Sequence, residues 1–212
     1  MTLIALKILT AYLLGSVLGS MVIGKLRGGI DIRELGSGNA GGTNALRTQG
    51  PWFAVGVMLI DVGKGWFAAA VLPALSMSAL PPHPENWRAV VPMLCSAAVV
   101  VGHVYPIWFG FRGGKGAATL IGVVLGLYPI AVLPVMIVWA LVLVASGYVG
   151  LATICAAASF PIYAAWIIDS RALMLFGAGT ALFVAFTHRA NIARMRAGTE
   201  HRAERAWLLR PR

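Results

Sequence analysis

The sequence predicts an all-α fold, a polytopic integral membrane helical bundle of about seven transmembrane helices. Of its 212 residues 59% are hydrophobic and only 11% charged, against roughly 25% charged in soluble domains, too few polar side chains to cover a water-soluble globule. Nearly uncharged stretches recur at 8–24, 52–80, 89–111, 117–145, 148–168 and 172–187, lengths suited to helices crossing a hydrocarbon core of about 30 Å. Val- and Ile-rich alternation is not their pattern, which argues against a lipid-facing β-barrel. No soluble region is left over, so 1–212 reads as a single integral membrane domain.

The first stretch follows Lys7 and contains Gly15, Ser16, Gly19 and Ser20. Signal peptides share that pattern, but a retained first helix is expected. The second stretch carries Asp61 and Lys64, three apart on one helical face, and reads as an intramembrane ion pair that fixes packing rather than performing chemistry. Ser76, Ser78, Pro81, Pro82 and His83 form an outer loop. The third stretch contains His103, read as a structural histidine bonded to backbone. The fourth, 117–145, would make a helix of roughly 44 Å at 1.5 Å per residue. Tyr128-Pro129 divides it, because proline lacks an N–H and disfavours helix in the residue before it. Two further helices and an arginine-rich tail complete the chain, in which Glu200 is expected to pair with a neighbouring arginine. Cys95 and Cys155 sit in apolar stretches and imply neither a disulfide nor a metal cluster.

Cations set the orientation. Lys25, Arg27, Arg33 and Arg47 lie in the first polar segment, Arg112 and Lys115 in the second, and Arg189, Arg194, Arg196, Arg202, Arg205, Arg210 and Arg212 in the tail. The positive-inside rule puts all three in the cytoplasm. With the division at Pro129 this gives seven crossings and an N-terminus outside.

Two glycine-rich polar segments interrupt the apolar chain: Gly36-Ser37-Gly38-Asn39-Ala40-Gly41-Gly42-Thr43-Asn44-Ala45-Leu46-Arg47, and Gly110-Phe111-Arg112-Gly113-Gly114-Lys115-Gly116-Ala117-Ala118-Thr119. Each combines glycines, hydroxyl or amide side chains and a cation, the mixture that lets backbone N–H groups and a positive charge close around a phosphate. A membrane protein that binds phosphate is the inference. Glycines of membrane helices more often serve close packing, but two such segments, each bearing a cation, point to a site.

These segments resemble the PlsY-type glycerol-3-phosphate acyltransferases that use acyl-phosphate as donor. The resemblance spans essentially the whole chain. It is carried by residues 36–47, by Gly102-His103-Val104-Tyr105-Pro106 running on to Gly113-Gly114-Lys115-Gly116, and by His188-Arg189-Ala190-Asn191-Ile192-Ala193-Arg194-Met195-Arg196-Ala197-Gly198-Thr199-Glu200. Asp61-Val62-Gly63-Lys64-Gly65 resembles the family's intramembrane Asp/Lys motif. The chain departs from the pattern at Ala40, where the family usually has Pro, at Gly15-Ser16-Val17-Leu18 in place of Gly-Ser-Ile-Pro, and at Gly147 in place of an arginine before Tyr148.

The resemblance implies acyl transfer from acyl-phosphate to the 1-hydroxyl of glycerol 3-phosphate, giving 1-acyl-sn-glycerol 3-phosphate (lysophosphatidic acid) and inorganic phosphate, the first step of phospholipid synthesis at a bacterial inner membrane, with the active site on the cytoplasmic side. It assigns Arg47 and Lys115 to glycerol phosphate, Ser37 and Asn191 to neutral hydrogen bonds, and His188 to the acceptor hydroxyl, either orienting it or taking its proton. Gly41, Gly42, Thr43, Gly113, Gly114 and Thr153 are the candidates around the donor phosphate, and Asn44 is a further substrate-binding candidate. No His/Cys or carboxylate cluster has ligand spacing, so neither metal nor cofactor is expected. A monomer is expected.

Other classes fit less well. A transporter of organic phosphates would show internal repeats and midplane sites. A metal-dependent phosphotransferase would need clustered acids, and the chain has seven, scattered. No histidine is followed five positions later by Asp, as in the soluble-domain glycerophosphate acyltransferases. The arginine tail beside membrane helices suits anionic headgroups rather than nucleic acid.

Overall fold

The computed structural model describes residues 1–76, 85–204 and 206–209; Ser78, Pro81, Pro82 and His83 of the expected outer loop, and Arg205, Arg210 and Arg212 of the tail, lie outside the described residues. Every regular element among the described residues is helical. The chain forms two compact units, Met1–Pro129 and Ile130–Arg212.

The first unit contains α1 (Thr2–Gly15), α2 (Gly19–Leu26), α3 (Gly42–Gln49), α4 (Pro51–Trp66), α5 (Val90–Val104) and α6 (Ala117–Leu127). The single helix expected over 8–24 is broken: α1 ends at Gly15, Leu18 is extended, and α2 leaves at 47°. Small residues explain why α1 stops against α5, since a methyl on Gly15 would overlap the Val99 backbone and one on Gly102 the Tyr12 carbonyl. A broken helix in a bilayer must have its freed backbone groups satisfied from within the protein. Lys64 does this for two carbonyls, donating to Gly15 O at 2.9 Å and Val17 O at 2.7 Å. The N–H of Gly19 donates to Asp61 Oδ1 at 3.1 Å. The two side chains also pair with each other at 2.9 Å, with 3% and 0% of their surfaces exposed.

The first polar segment, read as a loop, is half helix: α3 occupies Gly42–Gln49 and hands over to α4 through Gly50, at φ +85, and Pro51, which suits a first helical turn. Helix α4 widens into a π turn over Phe67–Val71, and Lys7 of α1 donates to Pro73 O beyond it at 2.5 Å.

The expected division at Pro129 is present. Helix α6 stops at Leu127 and a short 3-10 turn, Pro129–Ala131, follows. The second unit holds α7 (Val132–Ser146), α8 (Val149–Trp166), α9 (Arg171–Thr187) and α10 (Arg189–Arg196). Gly147, at φ +74, ends α7 in the left-handed conformation that glycine adopts without strain. Ser170 caps α9 by accepting from Leu173 N. Helix α10 bends away from α9 by 56° at His188. Among the described residues four helical stretches are long and apolar enough to cross a membrane, six if each bent pair is one span. Helix α6 has 11 residues, only ~16 Å of rise, so the count of seven rests on it.

Candidate active site

In the first unit the polar segment opens with Asp31, whose Oδ1 accepts from Arg33 N at 2.9 Å and caps a 3-10 turn, Ile32–Glu34. Arg33 then turns its guanidinium back on Asp31, with Nη2 2.6 Å from Oδ2. Its remaining nitrogen, Nη1, donates to Phe109 O at 3.1 Å and to Arg112 O at 3.0 Å. One guanidinium thus ties the segment carrying Ser37 and Arg47 to the one carrying Lys115. The Arg33 side-chain hydrogen bond holds the Asp31 carboxyl below its ordinary pKa, against a smaller opposing effect of burial. Its stabilisation is therefore present above about pH 4, the unfolded value, and is lost as pH falls through the lower folded value.

Sequence reasoning counted Arg33 only as a topogenic charge, and the signal available was its spacing of two from Asp31. Arg33→Ala is expected to lower kcat/KM roughly tenfold to a hundredfold, the worth of one or two charge-assisted hydrogen bonds, at unchanged membrane insertion. Arg33→Lys should not restore it, because an ammonium lacks the planar fork. Steady-state kinetics on purified variants check both.

Asn44 is 1% exposed. Its Oδ1 accepts from Ser37 N at 2.9 Å, and its Nδ2 donates to Ile32 O at 2.8 Å and Leu35 O at 3.0 Å. The carboxamide of Asn44, expected at substrate, thus shapes the turn that presents Ser37. Gly36, at φ +57, passes so close that any side chain there would overlap that carboxamide. Ser37, Thr43 and Arg47 are exposed. Gly41 precedes α3 without a side-chain cap, and the first N–H groups of a helix, here Gly42 and Thr43, have no intrahelical acceptor.

In the second glycine segment the N–H of Gly113 donates to Val104 O and that of Gly114 to His103 O, both at 3.1 Å, so both already have backbone acceptors. These glycines allow close approach instead, since a methyl on Gly114 would overlap the His103 ring. His103 is 2% exposed, with Nδ1 3.0 Å from Lys64 Nζ. Nδ1 also lies 3.4 Å from Asp61 Oδ1, so the ring closes over the Asp61–Lys64 pair. The buried line Asp61, Lys64, His103, Gly114 thus ends at the residue before half-buried Lys115.

Beside these segments one face of α4 bears an apolar groove of about 560 Å³, beginning at Leu46, the neighbour of Arg47, and running to Trp66 and Leu125.

In the second unit His188 ends α9. Its Nδ1 lies 2.8 Å from Val184 O, a carbonyl, so Nδ1 carries the proton and Nε2 is the accepting nitrogen. Asn191, one turn on, donates from Nδ2 to Glu200 Oε1 at 2.7 Å, and Arg194 Nε donates to Glu200 Oε2 at 2.6 Å. Glu200 therefore ties two turns of α10 to the tail. The hydroxyl of Thr153, expected near the donor phosphate, donates to Val149 O at 2.9 Å and accepts from Trp139 Nε1 at 3.3 Å. Where the resemblance leads one to expect an arginine, at Gly147, the tail crosses instead. The Arg202 guanidinium stacks over the Tyr148 ring at 4.6 Å and the Trp207 ring at 3.9 Å.

Comparison with known proteins places the whole chain in a family. The family model described as glycerol-3-phosphate acyltransferase matches residues 5–198. A glycerol-3-phosphate acyltransferase of Chlorobaculum tepidum is 38% identical, over 92% of this chain and 94% of the relative. One of Chlorobium luteolum is 36% identical, over 95% and 97%. The crystal structure of PlsY (YgiH), an integral membrane glycerol 3-phosphate acyltransferase, in its glycerol 3-phosphate form aligns with a TM-score of 0.81 at 33% identity, covering 94% of each chain. Its lysophosphatidic acid form aligns at 0.82 and 32% identity, covering 96% of this chain and 97% of that one. Similarity of this extent, over both units and all three polar segments, makes the chain a multi-pass integral membrane acyltransferase of the glycerol-3-phosphate acyltransferase (PlsY) family.

Proposed function

We propose that this protein transfers a fatty acyl group from acyl-phosphate to the 1-hydroxyl of glycerol 3-phosphate. The products are 1-acyl-sn-glycerol 3-phosphate and inorganic phosphate, in the first step of bacterial phospholipid synthesis. The observation that carries the reading is the double grip of Arg33, which joins two cation-bearing glycine segments in a unit that also bears an apolar groove starting at Leu46. A substrate with a phosphate at one end and a fatty chain at the other fits that pairing. The glycerol 3-phosphate and lysophosphatidic acid forms of PlsY support the same acceptor and product.

Arg47 and Lys115 hold the acceptor phosphate, with Ser37 and Asn191 adding neutral hydrogen bonds. The N–H groups of Gly42 and Thr43 at the start of α3, preceded by Gly41, face the donor phosphate. His188 Nε2 accepts from the 1-hydroxyl and sets its direction. The hydroxyl oxygen attacks the acyl carbon, forming the ester C–O bond. The acyl carbon's bond to the bridging oxygen breaks, and phosphate leaves with the electron pair. The hydroxyl proton ends on that phosphate, directly or through His188. Acyl-phosphate is a mixed anhydride with a good leaving group, so positioning and stabilisation of developing charge carry the rate without an acyl-enzyme.

Purified protein given glycerol 3-phosphate with acyl-phosphate, acyl-coenzyme A or acyl carrier protein in turn tests the reading. Lysophosphatidic acid is expected by mass spectrometry from the first donor alone, at full rate after exhaustive EDTA treatment. Product from either thioester donor, or strict dependence on added Mg²⁺, contradicts it.

The proposed topology is a monomer in the inner membrane with seven crossings, N-terminus outside, and polar segments and tail in the cytoplasm. Single cysteines at Arg112 and Thr199, in a version lacking Cys95 and Cys155, should react with an impermeant thiol reagent only from the cytoplasmic side. Labelling at Thr199 from outside removes α6 from the count of crossings.

A further inference from the structure

We propose that Gly63 and Trp66 set the length of acyl chain the donor groove accepts. This rests on the acyl-transfer reading above.

Pro51, Val55, Met58, Val62 and Trp66 recur at helical spacing along α4 and line one continuous face of it. The face begins at the polar segments and ends where α4 widens into its π turn. At the polar end the groove touches the proposed phosphate site twice. Leu46 precedes Arg47, and Met58 lies against Gly42, where a methyl would come within 2.7 Å of its sulfur. An acyl-phosphate with its phosphate at the start of α3 therefore has this groove along which to lay its tail on apolar surface. The groove lining ends at Trp66 and Leu125.

Gly63 is the gap in the stripe. A methyl added there meets nothing within 4 Å, whereas on the neighbouring glycines of α4 it would overlap Ile23 at Gly56 and the Thr119 backbone at Gly65. The missing side chain at 63 is thus open groove rather than helix contact. Within a bilayer the groove gains little by hiding the tail, because lipid chains are equally apolar. It discriminates by shape, and the side chains at its far end decide how many carbons lie straight. Gly63 precedes Trp66 by three residues, ~4.5 Å along the helix. An extended chain of ~1.52 Å C–C bonds in zigzag advances roughly 1.3 Å per carbon, so the two positions differ by about three to four carbons.

The test is kcat/KM over acyl-phosphates from octanoyl to stearoyl, for wild type, Gly63→Leu and Trp66→Ala. For Gly63→Leu the optimum should move about three to four carbons shorter. Its loss on the longest donors should be roughly tenfold or more, as for a pocket that rejects a few methylenes, with the shortest donors used as well as by wild type. Trp66→Ala should move the optimum longer, and decides the matter alone if Gly63→Leu does not fold. Wild-type turnover of acyl-phosphate with both variant profiles unchanged overturns this proposal and leaves the acyl-transfer reading standing. A wild-type protein that turns over no acyl-phosphate of any length overturns that reading, and the proposal with it.

Discussion

Lys115→Ala is expected to lower kcat/KM by a factor of about 30 to 1,000, the effect of removing roughly 2–4 kcal/mol of charged stabilisation near the reacting phosphates. The lysine stands between Gly114, packed on the His103 ring, and Gly116 at φ +86. The loss is expected in turnover, with thermal unfolding of the variant in detergent as the control for folding. Arg47→Lys should behave differently. It keeps the charge but loses the fork that grips a phosphate through two parallel hydrogen bonds, so the KM for glycerol 3-phosphate should rise with kcat nearly preserved. His188→Ala then reports on the proton: a loss confined to KM means the imidazole positions the hydroxyl, and a large kcat loss with a changed pH profile means it takes the proton. Near wild-type kinetics for both cation variants, in folded and membrane-inserted protein, would remove the assigned phosphate site.

The second large effect is on stability. Lys64→Met takes the ammonium from buried Asp61 and leaves it His103 Nδ1 at 3.4 Å, and loss of one member of a buried pair costs about 3–5 kcal/mol. The informative variant is the double, Asp61→Leu with Lys64→Met. For an ion pair alone, exchanging both members for apolar residues is nearly neutral. Here Lys64 also satisfies Gly15 O and Val17 O, and Asp61 also accepts from Gly19 N. The double variant should therefore remain destabilised by about 1–3 kcal/mol for each orphaned backbone group. Thermal unfolding in detergent measures it, and a double variant as stable as wild type would show that the pair does not hold the α1–α2 break. The same variants should lose activity, because His103, under Gly114, contacts Lys64.

What the sequence revealed follows from the reach of each signal. Apolar stretches are long and local, so the helices and the division at Pro129 were legible, since a proline acts on its own backbone. The break at 16–18 was not, because no proline marks it and its cause lies in α5 and α4, far along the chain. Asp61 and Lys64 were readable as a pair from their spacing, but not as partners of a distant helix break. Among the glycines, composition alone could not tell N–H groups that face a ligand from those, as at Gly113 and Gly114, that are spent on neighbouring carbonyls. The three backbone partners of Asn44 were hidden for the same reason, since a carboxamide in a polar segment shows its type and not its contacts. Arg33 was missed because its contacts lie 76 and 79 residues away.

The central claim is acyl transfer, and the fate of the donor's bridging oxygen tests it most directly. Acyl-phosphate carrying heavy oxygen between the acyl carbon and phosphorus is incubated with the protein and glycerol 3-phosphate, and the products are weighed by mass spectrometry. The account predicts unlabelled 1-acyl-glycerol 3-phosphate and one heavy atom in each released phosphate, because the acyl carbon's bond to that oxygen breaks. Label recovered in free fatty acid, with the phosphoryl group carried to the acceptor, would contradict it.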